Sequence, residues 1–220
     1  VPMDASIVSV ALPVMGPQLR LSYSTSLWIQ MAYLLTMAVL LLPLAKLADE
    51  RGRFRFYLGG MAVFALGSLF AAISQSGTTL ILSRVIQGAG GASLSSTAAA
   101  ILTETFPSDQ RGWALGIGMM AAYAGFTVGP PLGGLLVDAL GWRWIFLVNL
   151  PIGAAVLAWG YRIRLREAST TVPEGRFDVP GAAWLGATLI CLLVPLTFSA
   201  DWGWHSFPSW WLLGLACAAG

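Results

Sequence analysis

The sequence Leu44-Ala-Lys-Leu-Ala-Asp-Glu-Arg-Gly-Arg-Phe-Arg-Phe-Tyr57 places six charged residues within ten positions. Apolar runs long enough to cross a bilayer lie on both sides of it. A dense mixed-charge turn between two such runs must lie in water, at one face of a membrane. Because basic residues are in excess in this turn, the cytoplasmic face is predicted. This assignment fixes the direction of every span before and after the turn.

The composition indicates the same class of protein. Of the 220 residues, 57% are hydrophobic and only 10% are charged. A soluble domain carries about 25% charged residues, so this chain lacks the charge to solvate a globular surface. The net charge of +2 is too small to indicate nucleic-acid binding. An all-α polytopic membrane protein is therefore predicted.

Eight apolar segments divide the chain. The first, 5–15, and the last, which ends at Gly220, are too short to cross a bilayer, which indicates a fragment of a longer protein. Thr78 is the expected N-cap of the fourth span. The predicted organisation is a six-helix unit over 1–161, a loop over 162–178 and two linker helices over 179–220. Complete spans are expected at 27–44, 56–73, 78–103, 113–140, 145–161 and 179–200.

Basic residues are distributed unevenly between the predicted loops. The outer loops contain only Arg20 and Arg143. The excess of arginine and lysine on the other side predicts that the charged turn faces the cytoplasm. The predicted inner loops contain nine basic residues: Lys46, Arg51, Arg53, Arg55, Arg111, Arg162, Arg164, Arg166 and Arg176.

Patterns of soluble enzymes occur only out of context. The segment from Gly116 to Ala121 matches a dinucleotide-binding pattern but follows no predicted strand. The single histidine, His205, lies in a predicted outer loop, where it cannot serve as the base of a buried nucleophile. Cys191 and Cys217 lie in apolar runs without metal-ligand spacing and are expected to be free thiols. No enzymatic activity, cofactor or metal site is predicted.

Glycines recur at every fourth position of the fifth span. Residues four apart share one helix face, so this stripe permits the close approach of a neighbouring backbone. Ordinary tight packing explains such a stripe in part. Pro130 and the adjacent Pro131 lack an N–H, so backbone carbonyls at membrane depth lose their helical hydrogen bonds. This favours a helix that bends or gates. The stripe consists of Gly112 and Gly116, followed by Gly125, Gly129 and Gly133, with Gly134 beside it.

Arg84 is the only basic residue within a predicted span, and Asp4 directly precedes the first apolar run. Arg84 is roughly 9 Å from the outer end of its helix. It either snorkels to the headgroups or faces the bundle, and the polar Gln87 one turn deeper favours the bundle. Asp4 lies roughly 16 Å from the outer end near Met15, close to the membrane midplane. It is either a simple N-cap or, as favoured here, the carboxylate that takes up and releases a proton.

The remaining polar positions have simpler interpretations. Asp49, with Arg53 four residues later, is either a solvated loop carboxylate or part of an inner gate. Asp138 and Asn149 flank the outer corner Gly141-Trp-Arg-Trp144 and are expected to cap and orient helices. The two tryptophans of that corner are expected at headgroup depth.

The ordered motifs resemble the major facilitator superfamily, and most closely its fourteen-span drug:proton antiporter branch. The turn around Asp49, Gly52 and Arg53 resembles the family's signature loop, although Ala45, Glu50 and Phe54 depart from its preferred residues. Other resembling segments are Met3–Pro13 in the first helix, Leu82–Gly90 in the fourth, Gly125–Gly134 in the fifth, Trp142–Pro151 at the sixth, and Asp178, Gly181 and Leu185 at the seventh.

The resemblance implies a transporter half with a substrate cavity shared with a C-terminal half, and alternating access by rocking of the two halves. It implies proton coupling through Asp4 and Arg84, an inner gate at Asp49, Gly52 and Arg53, and a gating motif from Gly125 through Pro130 to Gly134. The expected function is proton-driven efflux of hydrophobic or cationic drugs across a cytoplasmic membrane. A dedicated exporter of one metabolite or antibiotic, and a non-transporting scaffold or receptor of the same fold, remain alternatives.

Overall fold

The computed structural model describes residues 1–164 and, beyond them, positions 180, 181, 184, 186–188, 191 and 211. The predicted loop over 162–178 and the predicted linker helices over 179–220 therefore lie almost wholly outside the described residues.

Residues 1–164 fold into seven α-helices without a strand. Their order is α1 (Pro2–Gln18), α2 (Tyr23–Arg51), α3 (Arg53–Ile73), α4 (Gly77–Thr105), α5 (Arg111–Leu140), α6 (Trp144–Leu147) and α7 (Asn149–Arg164). Within this part of the chain, five stretches are long and apolar enough to cross a membrane: Thr25–Arg51, Arg53–Ile73, Gly77–Thr105, Arg111–Leu140 and Trp144–Ile163. The prediction of an all-α chain with several membrane-spanning helices is confirmed.

The charged turn is almost entirely helical, and this corrects the prediction that the flanking spans end at residue 44 and begin at residue 56. Only Gly52 interrupts the helices, and its φ of 102° lies in a region that residues with a side chain rarely adopt. Its N–H donates to the carbonyl of Ala48 at 2.9 Å and so closes the last turn of α2. The charges reach solvent through long side chains, so the backbone has no need to leave the helix.

The N-cap of α4 also differs from the prediction. Ser76, and not Thr78, caps the helix, and its hydroxyl accepts the N–H of Thr79 at 3.2 Å. The Thr79 hydroxyl accepts the N–H of Ser76 at the same distance, which completes a reciprocal capping box. Thr78 is the second residue of the helix.

Side-chain contacts connect the helices at the end of the bundle that carries Gln18, Ser74 and Trp142. Trp142 is only 1% exposed and donates its indole N–H to Gln18 Oε1 at 2.8 Å. The Arg143 guanidinium lies 4.3 Å from the Trp142 ring centroid and donates to the carbonyl of Ser74 at 3.0 Å. Trp142 is therefore a core residue, whereas Trp144 is 46% exposed.

Helix α4 occupies the centre of the described bundle, because α2 and α3 both pack along it while α5 packs along α1. Two glycines permit these close approaches. A Cβ on Gly67 would lie 2.6 Å from the backbone N of Gln87, and a Cβ on Gly88 would lie 2.7 Å from the carbonyl O of Tyr33. The backbones of α3 and α2 thus lie against α4 at the level of its polar residues.

Candidate functional site

Asp4 and Arg84, the two residues predicted to couple protons, form a buried ion pair. Arg84 Nη1 lies 2.7 Å from Asp4 Oδ2, and the side chains are 0% and 1% exposed. Arg84 therefore lies inside the bundle and not at the headgroups. Val1 is the N-cap of α1, and Asp4 lies in its first turn with its carboxylate directed to other helices. Asp4 is thus not a simple N-cap, and Arg84 does not extend to the headgroups.

The Asp4 carboxylate accepts hydrogen bonds on both oxygens. Oδ2 accepts from Arg84 Nη1, while Oδ1 accepts from Gln87 Nε2 and Asn149 Nδ2, each at 2.8 Å. An amide N–H and a guanidinium N–H can only donate, so all three partners suit a deprotonated carboxylate. A charged carboxylate in a buried position requires such compensation, because desolvation is costly without it.

A serine hydroxyl extends these contacts. Ser68 Oγ accepts from Gln87 Nε2 at 2.8 Å and from Asn149 Nδ2 at 3.3 Å, and it donates to the carbonyl of Phe64 at 2.9 Å. The Gln87 carbonyl oxygen also accepts from Arg84 Nη1. We call this set the carboxylate network. It joins α1, α3, α4 and α7 through Asp4, Ser68, Arg84, Gln87 and Asn149.

Three members of the carboxylate network were not predicted as site residues: Ser68, Asn149 and Gln87, which was noted only because it favours a bundle-facing Arg84. Asn149 was expected to cap and orient helices at the corner; it is 7% exposed, and its amide donates to Asp4 on α1 and Ser68 on α3. Ser68 was not singled out. The sequence did carry a signal for Asn149, because an amide inside a predicted span is costly unless it finds a partner.

Aromatic rings and one backbone carbonyl complete the surroundings of Arg84. Its Nε donates to the carbonyl of Ile29 at 3.2 Å, and its guanidinium carbon lies 4.1 Å from the centroid of the Tyr33 ring. Among the described residues, two buried side-chain atoms have no hydrogen-bond partner, Arg84 Nη2 and the Tyr33 hydroxyl. Arg84 thus retains one unused donor beside its ion pair, and buried groups of this kind commonly bind water.

A second arginine site lies at the end of the bundle that carries Asp49, Arg53 and Glu104, here called the charged end. Arg53 Nε is 2.6 Å from Asp49 Oδ1, and Arg53 Nη1 is 2.7 Å from Glu104 Oε1. These contacts connect the end of α2, the start of α3 and the end of α4 beside Gly52. The side chains are 28% exposed at Arg53, 54% at Asp49 and 60% at Glu104. Glu104 was not predicted as a partner of Arg53. Its position directly after the fourth predicted span was the sequence feature that could have indicated this contact.

The glycine stripe of α5 contacts α1 over only part of its length. A Cβ on Gly129 would run into the Ser6 hydroxyl, and one on Gly133 would lie 2.6 Å from Ile7 Cγ1. A Cβ on Gly125 would make an ordinary 3.5 Å contact with Met3. Helix α5 is continuous through Pro130 and Pro131. At the other glycines predicted for this stripe, a Cβ would have no atom within 4 Å: Gly112, Gly116 and Gly134.

The described residues contain no cluster of His, Cys, Asp and Glu that fits a metal ion. Cys191 is a free thiol, and Cys217 lies outside the described residues. The chemistry that the carboxylate network offers is the binding of a proton or of a cation at a buried carboxylate.

Comparison with protein families gives a match over the whole chain. The model of the Major Facilitator Superfamily matches residues 1–220. The chain is 35% identical over 219 residues to the tetracenomycin C resistance and export protein of Streptomyces glaucescens. This match covers 100% of the present chain and 40% of that protein. The chain is also 37% identical over 220 residues to the multidrug resistance protein Stp of Mycobacterium tuberculosis. That match covers 98% of the present chain and 41% of the relative.

A solved structure shares the fold. It is a bacterial homologue of the human lysosomal transporter Spinster, in an inward-facing and unoccupied conformation. The TM-score is 0.56 at 21% sequence identity, and the match covers 99% of this chain and 55% of that chain. The chain spans about two fifths of the length of the two relatives named above.

Proposed function

The chain belongs to the Major Facilitator Superfamily, and on that premise we propose that it forms the N-terminal part of a proton-coupled exporter of hydrophobic or cationic compounds. The family consists of membrane transporters and not of enzymes, and its members related to this chain include exporters of drugs and antibiotics. Proton coupling and the class of substrate are the parts that we add.

One observation carries the proposal of proton coupling: a carboxylate that is 1% exposed and accepts from three donors on two other helices. These three donors are complementary to the carboxylate form of Asp4. A proton added to Asp4 needs an acceptor, and none of the three present contacts provides one. Protonation therefore requires at least one partner to turn or withdraw, which loosens α1 from α4 or α7.

Asn149 is the partner best suited to this rearrangement. Gln87 is constrained on both amide atoms, because its oxygen accepts from Arg84 while its nitrogen donates to Ser68 and Asp4. The Asn149 nitrogen makes one short bond to Asp4 and a longer one to Ser68. A half-turn of the Asn149 amide presents its oxygen to protonated Asp4, so α7 responds to the charge on α1.

Alternating access uses the two other predicted motifs. The Arg53 contacts with Asp49 and Glu104 join α2, α3 and α4 at the charged end, where separation of these helices opens an inner gate. The contact of α5 with α1 at Gly129 and Gly133 transmits movement of α1 to its neighbour. In this proposal Pro130 and Gly134 shape α5, and the C-terminal half supplies the other wall of the substrate cavity.

A dedicated exporter of a single compound is the second candidate, because one relative is named for tetracenomycin C export and another for multidrug resistance. Export assays with a panel of unrelated lipophilic cations and neutral antibiotics distinguish the two candidates. A scaffold or receptor is favoured only if the full-length protein exports none of them and moves no protons.

We also propose that the charged end faces the cytoplasm of a cell whose inner membrane contains the protein, since basic residues concentrate on that side. Single cysteines at Arg111 and Arg20 test the orientation in intact cells. The cysteine at position 111 should react only with a permeant maleimide, and the cysteine at position 20 with an impermeant one. The reverse pattern would contradict the orientation.

The test of proton coupling uses the full-length protein in proteoliposomes with an imposed pH gradient. Asp4→Asn should insert normally and lose gradient-driven export, whereas Asp4→Glu should keep part of it. Asp138→Asn is the matched control, because Asp138 is an exposed carboxylate on α5 and should be dispensable. Gradient-driven export by Asp4→Asn at the wild-type level would remove Asp4 from the mechanism.

A further inference from the structure

A groove of about 500 Å³ lies between α2 and α3, with α4 as its floor. We call it the α2–α3 groove. It is apolar along most of its length and basic at one end. Leu40 lines it from α2, Gly59 and Val63 line it from α3, and Gly90 lies on its floor, while Arg51 and Arg55 lie at its mouth at the charged end.

The groove follows from the way in which three helices pack. Helix α3 lies tightly on α4, because a Cβ on Gly60 would be 2.7 Å from Ser93 Cβ, and one on Gly90 would run into the backbone N of Phe64. Helices α2 and α3 make few contacts with each other, so a space remains between them. A Cβ on Gly59 would have no atom within 4 Å, which marks the open part of the groove.

Arg51 and Arg55, at the mouth of the groove, differ in their ion pairing from Arg53, which lies between them in the sequence. Arg53 is paired with Asp49 and Glu104. Arg51 and Arg55 are exposed, and neither has an ion-pair partner within the part of the chain that the structure describes. Two unpaired guanidinium groups at the mouth of an apolar groove are complementary to an amphiphile with an anionic head.

The dimensions fit one leaflet of a bilayer. Arg55 and Val63 are eight residues apart on α3, a rise of roughly 12 Å. Half of a ~30 Å hydrocarbon core is roughly 15 Å. An anionic headgroup at Arg51 and Arg55 would therefore place an acyl chain along Gly59 and Val63, at the depth where bilayer chains lie.

We propose that the α2–α3 groove is a binding site for an anionic phospholipid of the surrounding membrane. The lipid phosphate contacts Arg51 and Arg55, and one acyl chain lies over Gly59 beside α4. The bound lipid fills the space between α2 and α3 next to the Arg53 contacts. The site is independent of proton coupling and of the transported compound.

The test counts lipids on the full-length protein. The protein is reconstituted in nanodiscs of phosphatidylglycerol and phosphatidylcholine, released into mild detergent and analysed by native mass spectrometry. Wild type should retain phosphatidylglycerol in preference to phosphatidylcholine. Arg51→Gln/Arg55→Gln should retain it roughly 30-fold more weakly, as expected for two lost contacts with an anionic headgroup. The control Arg20→Gln/Arg111→Gln removes the same charge elsewhere and should bind as wild type does.

A second variant tests the apolar part of the site. Gly59→Leu adds a side chain where a Cβ would meet no atom within 4 Å and should release the lipid, whereas Gly112→Leu, on the open part of α5, should not. Retention of phosphatidylcholine as strongly as phosphatidylglycerol would overturn the proposal. So would full retention by Gly59→Leu, because the arginines then attract lipid at the surface only. Cross-linking of a cysteine at position 59 to another segment of the chain would show that protein, and not lipid, fills the groove.

Discussion

Two arginine–carboxylate sites in this protein have nearly the same bond length and opposite surroundings. Arg84 lies 2.7 Å from Asp4 in the middle of the bundle, and Arg53 lies 2.6 Å from Asp49 and 2.7 Å from Glu104 at the charged end. The first pair is 0% and 1% exposed, whereas the acidic residues of the second are more than half exposed.

The difference teaches that burial, and not distance, determines what such a contact contributes. Water screens the Arg53 contacts, so their formation and breakage cost little free energy, as a gate that opens in every cycle requires. The Asp4–Arg84 pair is removed from water, so loss of one partner leaves an uncompensated charge. A buried carboxylate can then couple a proton to movement, which a solvated carboxylate cannot do.

The largest expected effect separates the two arginines directly. Arg84→Gln should lower the free energy of unfolding by about 3–5 kcal/mol, because Asp4 remains buried without its cationic partner. Arg53→Gln should lower it by less than about 1 kcal/mol. Steric-trap unfolding of the full-length protein in micelles measures both. The double variant Asp4→Asn/Arg84→Gln should recover much of the loss, and equal losses for Arg84→Gln and Arg53→Gln would invalidate the distinction.

The packing of α5 against the helix that carries Asp4 gives the next effect. Gly129→Leu forces a side chain into Ser6 and should cost about 1–3 kcal/mol of stability together with export activity. Gly134→Leu enters open space and should change stability by less than about 0.5 kcal/mol. The measurements are unfolding and export at matched expression. If both variants export equally well, the α1–α5 contact has no role in the conformational change.

Asn149 tests whether α7 belongs to the buried site. Asn149→Ala removes one donor from Asp4 and should cost about 1–2 kcal/mol. Gradient-driven export should fall, because α7 loses its hydrogen bond to the Asp4 carboxylate. The matched control is Gln30→Ala, whose amide makes a single 3.4 Å bond to the carbonyl of Ala5. Export by Asn149→Ala at the wild-type level would restrict the residue to a packing role.

The smallest effect lies at the charged end. A double-mutant cycle with Arg53→Gln and Glu104→Gln should give a coupling free energy of about 0.2–1 kcal/mol. Raising the salt concentration should reduce it, since exposed charges are screened. Denaturant unfolding at low and high salt measures both quantities. A larger coupling that does not change with salt would mean that this contact behaves like the buried pair.

The sequence by itself determined the helical class, the approximate spans, the concentration of charge around Gly52 and the presence of charged residues inside or beside the spans. These features are local: hydropathy summed over about 20 residues decides whether a segment can cross a bilayer. The motifs in their order also sufficed to identify the family. The ends of helices were predicted less well. The clearest case is the charged turn, where only Gly52 lies outside the helices.

Only the tertiary structure decided which polar residues meet. Asp4 is 80 positions from Arg84 and 145 from Asn149, and no sequence period relates them. Likewise, the glycine stripe looks uniform in sequence, but only its part around Gly129 and Gly133 lies against another helix. The physical reason is that helix packing selects one face of each helix, so a neighbour distant in the chain determines which side chains become buried, paired and able to act together.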